Sequence, residues 1–320
     1  MDSKKPLTVT AVITTHDRVG LLKRAVESVL SQDYEALDLL VVDDASSDGT
    51  QRYMTRLAAE NGRVTYLRIP PEETKGSNHA RNAGIRAAKG ELVAFLDDDD
   101  VWLPGKITAQ VAFFERHPSA GAVSCDWYEV YCFGKKQYRY KRNFSFSRGR
   151  NEFFITTYMG VTSGMLVRKE ILESIGGFDE QLPAKQEYEL SCRIAMACSI
   201  GFLRRPLFEY YHYDTGACIS SSAGKHIAAR EHIENKYAER LAQFTPEQKK
   251  RFDAFMTKDL AYRRLMSGDR KSYRQTVRPV LGSFGIKEKA VWLLSFVMGY
   301  STLIRGKAAL KAFREKYGGQ

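Results

Sequence analysis

The spacing of hydrophobic positions changes repeatedly over the first hundred residues. Residues 9–14 form an apolar, β-branched run that reads as a strand. Residues 19–31 then place Leu21, Leu22, Ala25, Val26, Val29 and Leu30 at helical spacing. Residues 37–42 are continuously apolar, the mark of a strand covered on both faces. That run stops at Asp43-Asp44-Ala45-Ser46-Ser47-Asp48-Gly49, a turn that can also cap the next helix. Residues 64–69 read as a third strand. Residues 78–89 read as a helix ending at Gly90, and residues 92–96 as a fourth strand ending at Asp97. This alternation predicts an α/β fold with a mostly parallel, doubly wound sheet. Ligands on such sheets bind beyond the carboxyl ends of strands, where the Asp43-Asp44 pair and the Asp97 cluster fall.

The middle of the chain is less regular. Residues 133–151 carry Lys135, Lys136, Arg139, Lys141, Arg142, Arg148 and Arg150 with no acid, interleaved with Phe133, Tyr138, Tyr140, Phe144 and Phe146. Residues 162–168 read as a strand, Gly176-Gly177-Phe178-Asp179 as a turn, and residues 186–198 as a helix. Beyond about residue 226 the pattern is helical throughout.

Length and composition add limits. At ~150 residues per domain, 320 residues make about two domains. With 43% hydrophobic residues, a disordered chain is excluded. Five cysteines without a Cys-x-x-Cys pair read as reduced, packed thiols. The start of the chain has no apolar signal region, and no window holds ~18 unbroken apolar residues. The expectation is therefore a cytoplasmic protein. The net charge of +11 lies entirely in residues 232–320, with 19 basic against 8 acidic side chains. A tail of that charge faces something anionic. Residues 290–304 are uncharged and flanked by Lys287, Lys289, Arg305 and Lys307. As a helix they reach ~22 Å, short of the ~30 Å hydrocarbon core. Either they pack into a bundle in the tail, or they lie on an anionic membrane surface. The second reading makes the protein peripheral on the inner face of the cell membrane. Nucleic acid is not an expected partner, because no RNA-binding motif accompanies the basic-aromatic segment.

The strongest chemical signal is Phe95-Leu96-Asp97-Asp98-Asp99-Asp100-Val101-Trp102. Four adjacent carboxylates at the end of an apolar strand repel one another unless cations are near. Hard oxygen ligands suit Mg²⁺ or Mn²⁺, which bind through one or two carboxylates plus substrate phosphates. Asp43 and Asp44 can accept hydrogen bonds from a base or ribose. Arg81, opening the helix before the acidic strand, can make a forked contact with phosphate.

Taken in order, these motifs resemble glycosyltransferase family 2 of the GT-A fold. The resemblance rests on Ala11-Val12-Ile13-Thr14-Thr15-His16-Asp17-Arg18, on Val41-Val42-Asp43-Asp44-Ala45-Ser46-Ser47-Asp48-Gly49-Thr50, and on Ala80-Arg81-Asn82-Ala83-Gly84-Ile85. Ala88-Lys89-Gly90-Glu91, the acidic run, and Gly176-Gly177-Phe178-Asp179-Glu180 complete it. It covers roughly residues 7–213. It implies a catalytic region over residues 1–225, with a nucleotide-sugar half to about 105 and an acceptor half after it. A basic helical region over 226–320 follows.

The resemblance also implies roles. Thr14, His16, Asp43 and Asp44 would line the base pocket of a nucleotide-sugar donor, and Arg81 would hold ribose or diphosphate. Asp97 would stand near the ribose and Asp99 on a Mg²⁺ or Mn²⁺ ion, with Asp97 and His212 as further candidate ligands. Glu187, where the family has an acid at the start of a helix, would be the general base, with Glu189 as its rival. Two departures are visible: Thr-Thr-His-Asp-Arg in the opening motif, and Glu in place of Asp at 187. The implied activity is inverting sugar transfer, with a UDP-sugar as expected donor. The acceptor is a glycan or lipid-linked unit of a surface polysaccharide. A non-catalytic nucleotide-sugar binding module and a sugar nucleotidyltransferase are the alternatives. The latter usually opens with a Gly-rich phosphate loop, which is missing after residues 9–15.

Overall fold

The computed structural model describes residues 5–142, 152–156, 159–213, 222–298 and 300–317; among these, nine strands join one sheet. β1 (Val9–Thr15), β2 (Leu37–Asp44), β3 (Val64–Ile69) and β4 (Leu92–Asp97) run parallel in the order β3-β2-β1-β4. α1 (Val19–Leu30), α2 (Thr50–Glu60) and α3 (Ser77–Ala87) connect them. The expected alternation is present element for element.

The strands' period of two divides the core between both faces of the sheet. Val9, Ala11, Ile13, Leu39, Val41 and Leu96 pack with Leu22, Val26 and Val29 of α1 and Met54 of α2. Val12, Leu40, Val42, Val93 and Phe95 pack with Ala80 and Ile85 of α3. Helix α3 lies so close to β1 that a Cβ at Gly84 would sit 2.4 Å from Val12 Cγ1.

Past β4 the sheet becomes mixed. It continues with β5 (Val101–Trp102), β6 (Ala120–Phe133), β7 (Lys136–Arg142), β8 (Leu166–Arg168) and β9 (Ser199–Tyr213). Their order is β8-β6-β9-β5, with β7 paired to β6. β8 is antiparallel to both β4 and β6, β7 to β6 and β5 to β9, while β6 and β9 run parallel. The parallel character expected from the sequence thus holds throughout the first four strands and recurs in the β6–β9 pair. Residues 162–168 divide into a 3₁₀ turn at Thr162–Gly164 followed by β8. Part of the basic-aromatic segment forms β7, in which Arg139 lies over the Tyr128 ring and donates to Glu209. Its residues 143–151 lie outside the described residues, as do Cys218 and Gly299. Cys125, Cys132, Cys192 and Cys198 are free thiols.

α4 (Lys106–Arg116), α5 (Lys169–Ser174) and α6 (Gln186–Ala197) complete the coverage of the sheet. The C-terminal helices are α7 (Ala223–Lys236), α8 (Ala238–Leu241), α9 (Pro246–Met266), α10 (Arg270–Val277), α11 (Ile286–Leu294) and α12 (Tyr300–Tyr317). α7 and α9 share a cluster with α6, in which Ala229, Ile233, Phe252 and Met256 meet Tyr188 and Cys192. The uncharged stretch 290–304 is not one helix: α11 ends at Leu294 and α12 begins at Tyr300. Among the described residues, no helix is long and apolar enough to cross a membrane.

The Gly176-Gly177-Phe178-Asp179 turn ties α3 to α6. Asn82 accepts from Phe178 N at 2.7 Å and donates to Phe178 O at 2.9 Å, and Arg193 on α6 donates to Gly177 O at 2.6 Å. Gly177 has φ +67°, and a Cβ there would lie 2.4 Å from Asn82 Oδ1. Both the backbone and the space exclude a larger residue. Gly177→Ala is expected to lower the unfolding free energy by about 2 kcal/mol or more, read from urea midpoints. An unchanged midpoint would contradict the tight turn.

Candidate active site

Strand register brings the candidate residues together. Thr14 on β1 pairs with Val42 on β2 and with Asp97 on β4, and Thr15 pairs with Asp43. The carboxyl ends of three neighbouring strands therefore meet at one edge.

The four aspartates alternate in environment. Asp98 and Asp100 are buried, while Asp97 and Asp99 remain partly open. Asp98 accepts from Thr15 Oγ1 at 2.7 Å and from Arg18 at 3.1 Å. Asp100 accepts from Ser163 Oγ at 2.5 Å and from the Tyr211 amide at 3.0 Å. These two acids hold the β4–β5 turn against β1, the 162–164 turn and β9. Asp97 accepts from Arg81 at 2.7 Å, and Asp99 lies 3.3 Å from Arg18. Burial, then the charges of Asp97 and Asp98, push the Asp99 carboxyl up to about 6. Burial, then Asp99 and Asp97, push Asp100 well above the carboxylate range. Negative charge is in excess here, and the open pair is Asp97 and Asp99.

Arg18 was not assigned a role from sequence, although it lies within the quoted opening motif. It bridges Asp98 and Asp99 from the start of α1. The signal was available: four acids beside a single assigned arginine leave charge uncompensated.

At the β2 end the aspartates differ from expectation. Asp43 is fully buried, and both of its oxygens are taken, one by Ser46 N at 2.9 Å and the other by Tyr66 OH at 2.6 Å. It holds its own turn, in place of the ligand contact expected for it. Asp44 accepts from Thr74 Oγ1 through Oδ1. The His16 ring donates from Nδ1 to the Asp44 carbonyl at 2.6 Å. Asp17, at φ 52°, accepts from the amides of Ser47 and Asp48 and so ties the two loops together. Thr14, His16 and Asp44 are thus gathered on one side of Asp97.

Helix α6 separates the two base candidates. Glu189 is fully buried; Arg193 grips both its oxygens, and Tyr237 OH and Lys236 Nζ donate to it at 2.7 and 2.8 Å. Burial opposes its charge, but these donors outweigh burial and hold its carboxyl below the usual range. No oxygen is left for an incoming proton. Glu187 is half-buried and makes no hydrogen bond or ion pair among the described residues. The half-buried Tyr210 on β9 lies in the field of Asp100, Glu187 and Asp99 together, and with burial as the main cause its phenol is pushed well up.

Lys185 holds the start of α6 from below. It adopts φ 62°, is almost fully buried, and reaches Asp259 on α9 at 2.9 Å. His226 on α7 stands 2.9 Å from the same carboxylate. The C-terminal helices thereby hold the helix that carries Glu187.

His212 does not join the aspartates. Its Nε2 faces Glu129 at 2.5 Å, and its ring stacks on Tyr131 with centroids 4.1 Å apart. The half-buried His212 is thus paired with Glu129 on β6, away from the hydrogen bonds of the acidic turn. Among the described residues, no three His, Cys, Asp or Glu side chains are arranged to hold a metal ion. Asp97 and Asp99 supply two open hard oxygen ligands, which suits an ion completed by substrate phosphate and water.

Glu189→Gln is expected to cost about 3 kcal/mol of stability at neutral pH, because it leaves Arg193 buried against a neutral amide. Its folded carboxyl is depressed, so wild-type stability is full above the ordinary Glu range and falls as pH drops through the folded value. The gap between the two proteins should shrink below about pH 4. Glu187→Gln should stay within about 0.5 kcal/mol of wild type. Urea unfolding across pH checks both; equal losses would contradict the separation.

The sequence profile described as Glycosyl transferase family 2 matches residues 10–176. A GalNAc(5)-diNAcBac-PP-undecaprenol beta-1,3-glucosyltransferase of Campylobacter jejuni is 35% identical over 31% of this chain and 32% of its own. The UDP-Glc:alpha-D-GlcNAc-diphosphoundecaprenol beta-1,3-glucosyltransferase WfaP of Escherichia coli is 34% identical over 33% of this chain and 41% of its own. The chain thus spans well under half the length of these relatives. S. aureus TarS 1-349 in complex with UDP-GlcNAc has a similar structure, at TM-score 0.55 and 16% identity, covering 87% of this chain and 91% of that one. So does the mannosyltransferase PcManGT from Pyrobaculum calidifontis, in complex with GDP-Man and Mn²⁺, at TM-score 0.57 and 18% identity over 99% and 89%. The sheet with its helical C-terminal part is the GT-A fold of these neighbours, and with a family match over more than half its length the chain belongs to glycosyl transferase family 2.

Proposed function

We propose that this protein transfers a sugar, with inversion, from a nucleotide-diphosphate donor to a hydroxyl of a glycan or lipid-linked acceptor. The observation that carries the reading is the division of labour among the acids: Asp98, Asp100 and Glu189 are buried and consumed by structure, while Asp97, Asp99 and Glu187 remain partly exposed. The names of the Campylobacter and WfaP relatives specify undecaprenyl diphosphate acceptors, and the TarS complex holds a UDP-sugar; both support a UDP-sugar donor and a lipid-linked acceptor here.

The chemistry follows from the residues. Thr14, His16 and the open oxygen of Asp44 receive the base. Arg81, oriented by Asp97 and by the Phe178 ring 5.4 Å away, holds ribose or diphosphate. Asp97 and Asp99 would hold Mg²⁺ or Mn²⁺, which supplies positive charge to the departing diphosphate. Glu187 accepts the proton of the acceptor hydroxyl as its oxygen bonds to the anomeric carbon. The bond from that carbon to the diphosphate oxygen breaks on the opposite face, and the nucleoside diphosphate leaves. One displacement with one base inverts the centre.

Turnover of UDP- and GDP-sugars with Mn²⁺ or Mg²⁺, with and without a polyprenyl-diphosphate glycan acceptor, tests this. Glu187→Gln should lower kcat by roughly 10²- to 10⁴-fold with KM for donor nearly unchanged. Asp99→Asn should lower donor turnover by roughly 100-fold or more and weaken nucleotide binding in the presence of the ion. Wild-type turnover in Asp99→Asn, or full activity in Glu187→Gln, would remove the assignment.

A further inference from the structure

The C-terminal region presents an inverted surface. Between α11 and α12 the polar Ser295 is fully buried, while its apolar neighbours face outward. Val297 is 76% exposed, Leu293 62% and Phe296 54%, and Ile286 at the other end of α11 is 87% exposed. The knuckle is held firmly from behind. Arg274 on α10 donates to Ser295 O at 3.1 Å and lies 4.5 Å from the Phe296 ring centroid, and Trp292 meets that ring edge-on at 5.2 Å. Val291 and Trp292 pack inward against the cluster of Tyr273, Val277 and Phe284. A water-facing turn normally shows the opposite choice, with its polar residue outside. A contiguous apolar patch on an anchored turn marks a contact surface.

The charges around it indicate what makes the contact. Residues 270–298 hold six Lys and Arg and one acid, Glu288, which Lys258 already occupies at 2.5 Å. Arg270, Lys271, Arg278, Lys287 and Lys289 are exposed. The cationic rim continues onto α12. There Lys311 lies over Tyr140 of β7; burial, then Lys307, Arg142 and Lys287 nearby, lower its ammonium to about 8. These cations crowd one another without enough acid from the protein to relieve them.

We propose that this knuckle, Leu293, Leu294, Phe296, Val297 and Met298, inserts into the interfacial layer of an anionic lipid bilayer, with Lys287, Lys289 and their basic neighbours on the headgroups. The length of the apolar run limits it to shallow insertion, since the turn between α11 and α12 interrupts it. The side chains belong to no part of the donor site, so membrane binding and sugar turnover are separate properties.

Co-sedimentation of the full chain with vesicles tests the proposal. Two compositions serve: phosphatidylcholine alone, and phosphatidylcholine with about one-third phosphatidylglycerol. Wild type should bind the anionic vesicles and lose that binding at high salt. The double variant Leu293→Ser with Val297→Ser should bind them about tenfold or more weakly. Lys287→Glu with Lys289→Glu should abolish the preference for anionic over neutral vesicles. Both pairs should retain the wild-type melting temperature and soluble-donor hydrolysis. The idea is overturned if wild type ignores anionic vesicles, or if the apolar variant binds as wild type does. A self-associated wild type that the apolar pair makes monomeric, with lipid binding unchanged, would assign the surface to a second copy and likewise overturn it.

Discussion

Four consecutive carboxylates at the end of a buried strand set the terms for the rest of the site. Like charges this close cannot all stay ionised in a low-dielectric setting without partners. The chain divides them within the turn that follows β4, closed by the Asp100 amide donating to the Asp97 carbonyl at 3.1 Å: Asp98 and Asp100 are buried, while Asp97 and Asp99 stay partly exposed. The inward pair is then satisfied from four separated places: Thr15, Arg18, Ser163 and the Tyr211 amide. Thr15 and Tyr211 already sit in paired strands, so compensating the acids ties β1, the 162–164 turn and β9 to the acidic turn in addition to the sheet ladder.

The acceptor side follows the same logic from another direction. Arg193 spans the carbonyls of Ile175 and Gly177 and the carboxylate of Glu189, so one guanidinium sets both the turn and the pitch of α6. Lys236 and His232 of α7 meet Asp179 at 2.6 and 3.0 Å. Those donors outweigh burial and hold the Asp179 carboxyl at about 2. With Lys185 on Asp259, three separate ionic ties run from the C-terminal helices to the segment carrying Glu187. The helical region acts as a brace for the helix that carries Glu187. Its basic character is spent partly on this brace and partly on the outer surface.

Legibility in the sequence tracks how local each interaction is. The first four strands and three helices were readable because β-branched runs and 3.6-residue spacing are local patterns. β6 and β9 were not. β6 is buried along nearly all its length while carrying Ser124, Asp126 and Glu129, so it shows neither an alternating nor a purely apolar run. β9 contains Arg204, Arg205 and Pro206, and its pairing with β6 shifts register near that point. The acidic turn was legible as a cluster, but the fate of each acid was not. Asp43 is bonded by Tyr66, twenty-three residues away, and His212 by Glu129, eighty-three away, partners that no local pattern announces. Glu187 and Glu189 are two residues apart on one helix, and only the burial of one against Arg193 distinguishes them.

The distribution of charge joins these parts. Residues 1–231 are balanced overall, yet the balance hides an acidic cleft at the ends of β2 and β4, while residues 232–320 carry the whole excess of +11. Under the proposed function, a donor diphosphate meeting this acidic edge is repelled unless a cation accompanies it. An anionic acceptor has the opposite problem and needs a basic approach. The C-terminal helices carry the excess positive charge while their inner faces hold α6, the helix of Glu187. The acid-rich edge of the sheet and the base-rich helices are thus linked through α6, which Lys236 and Asp259 grip by way of Glu189 and Lys185.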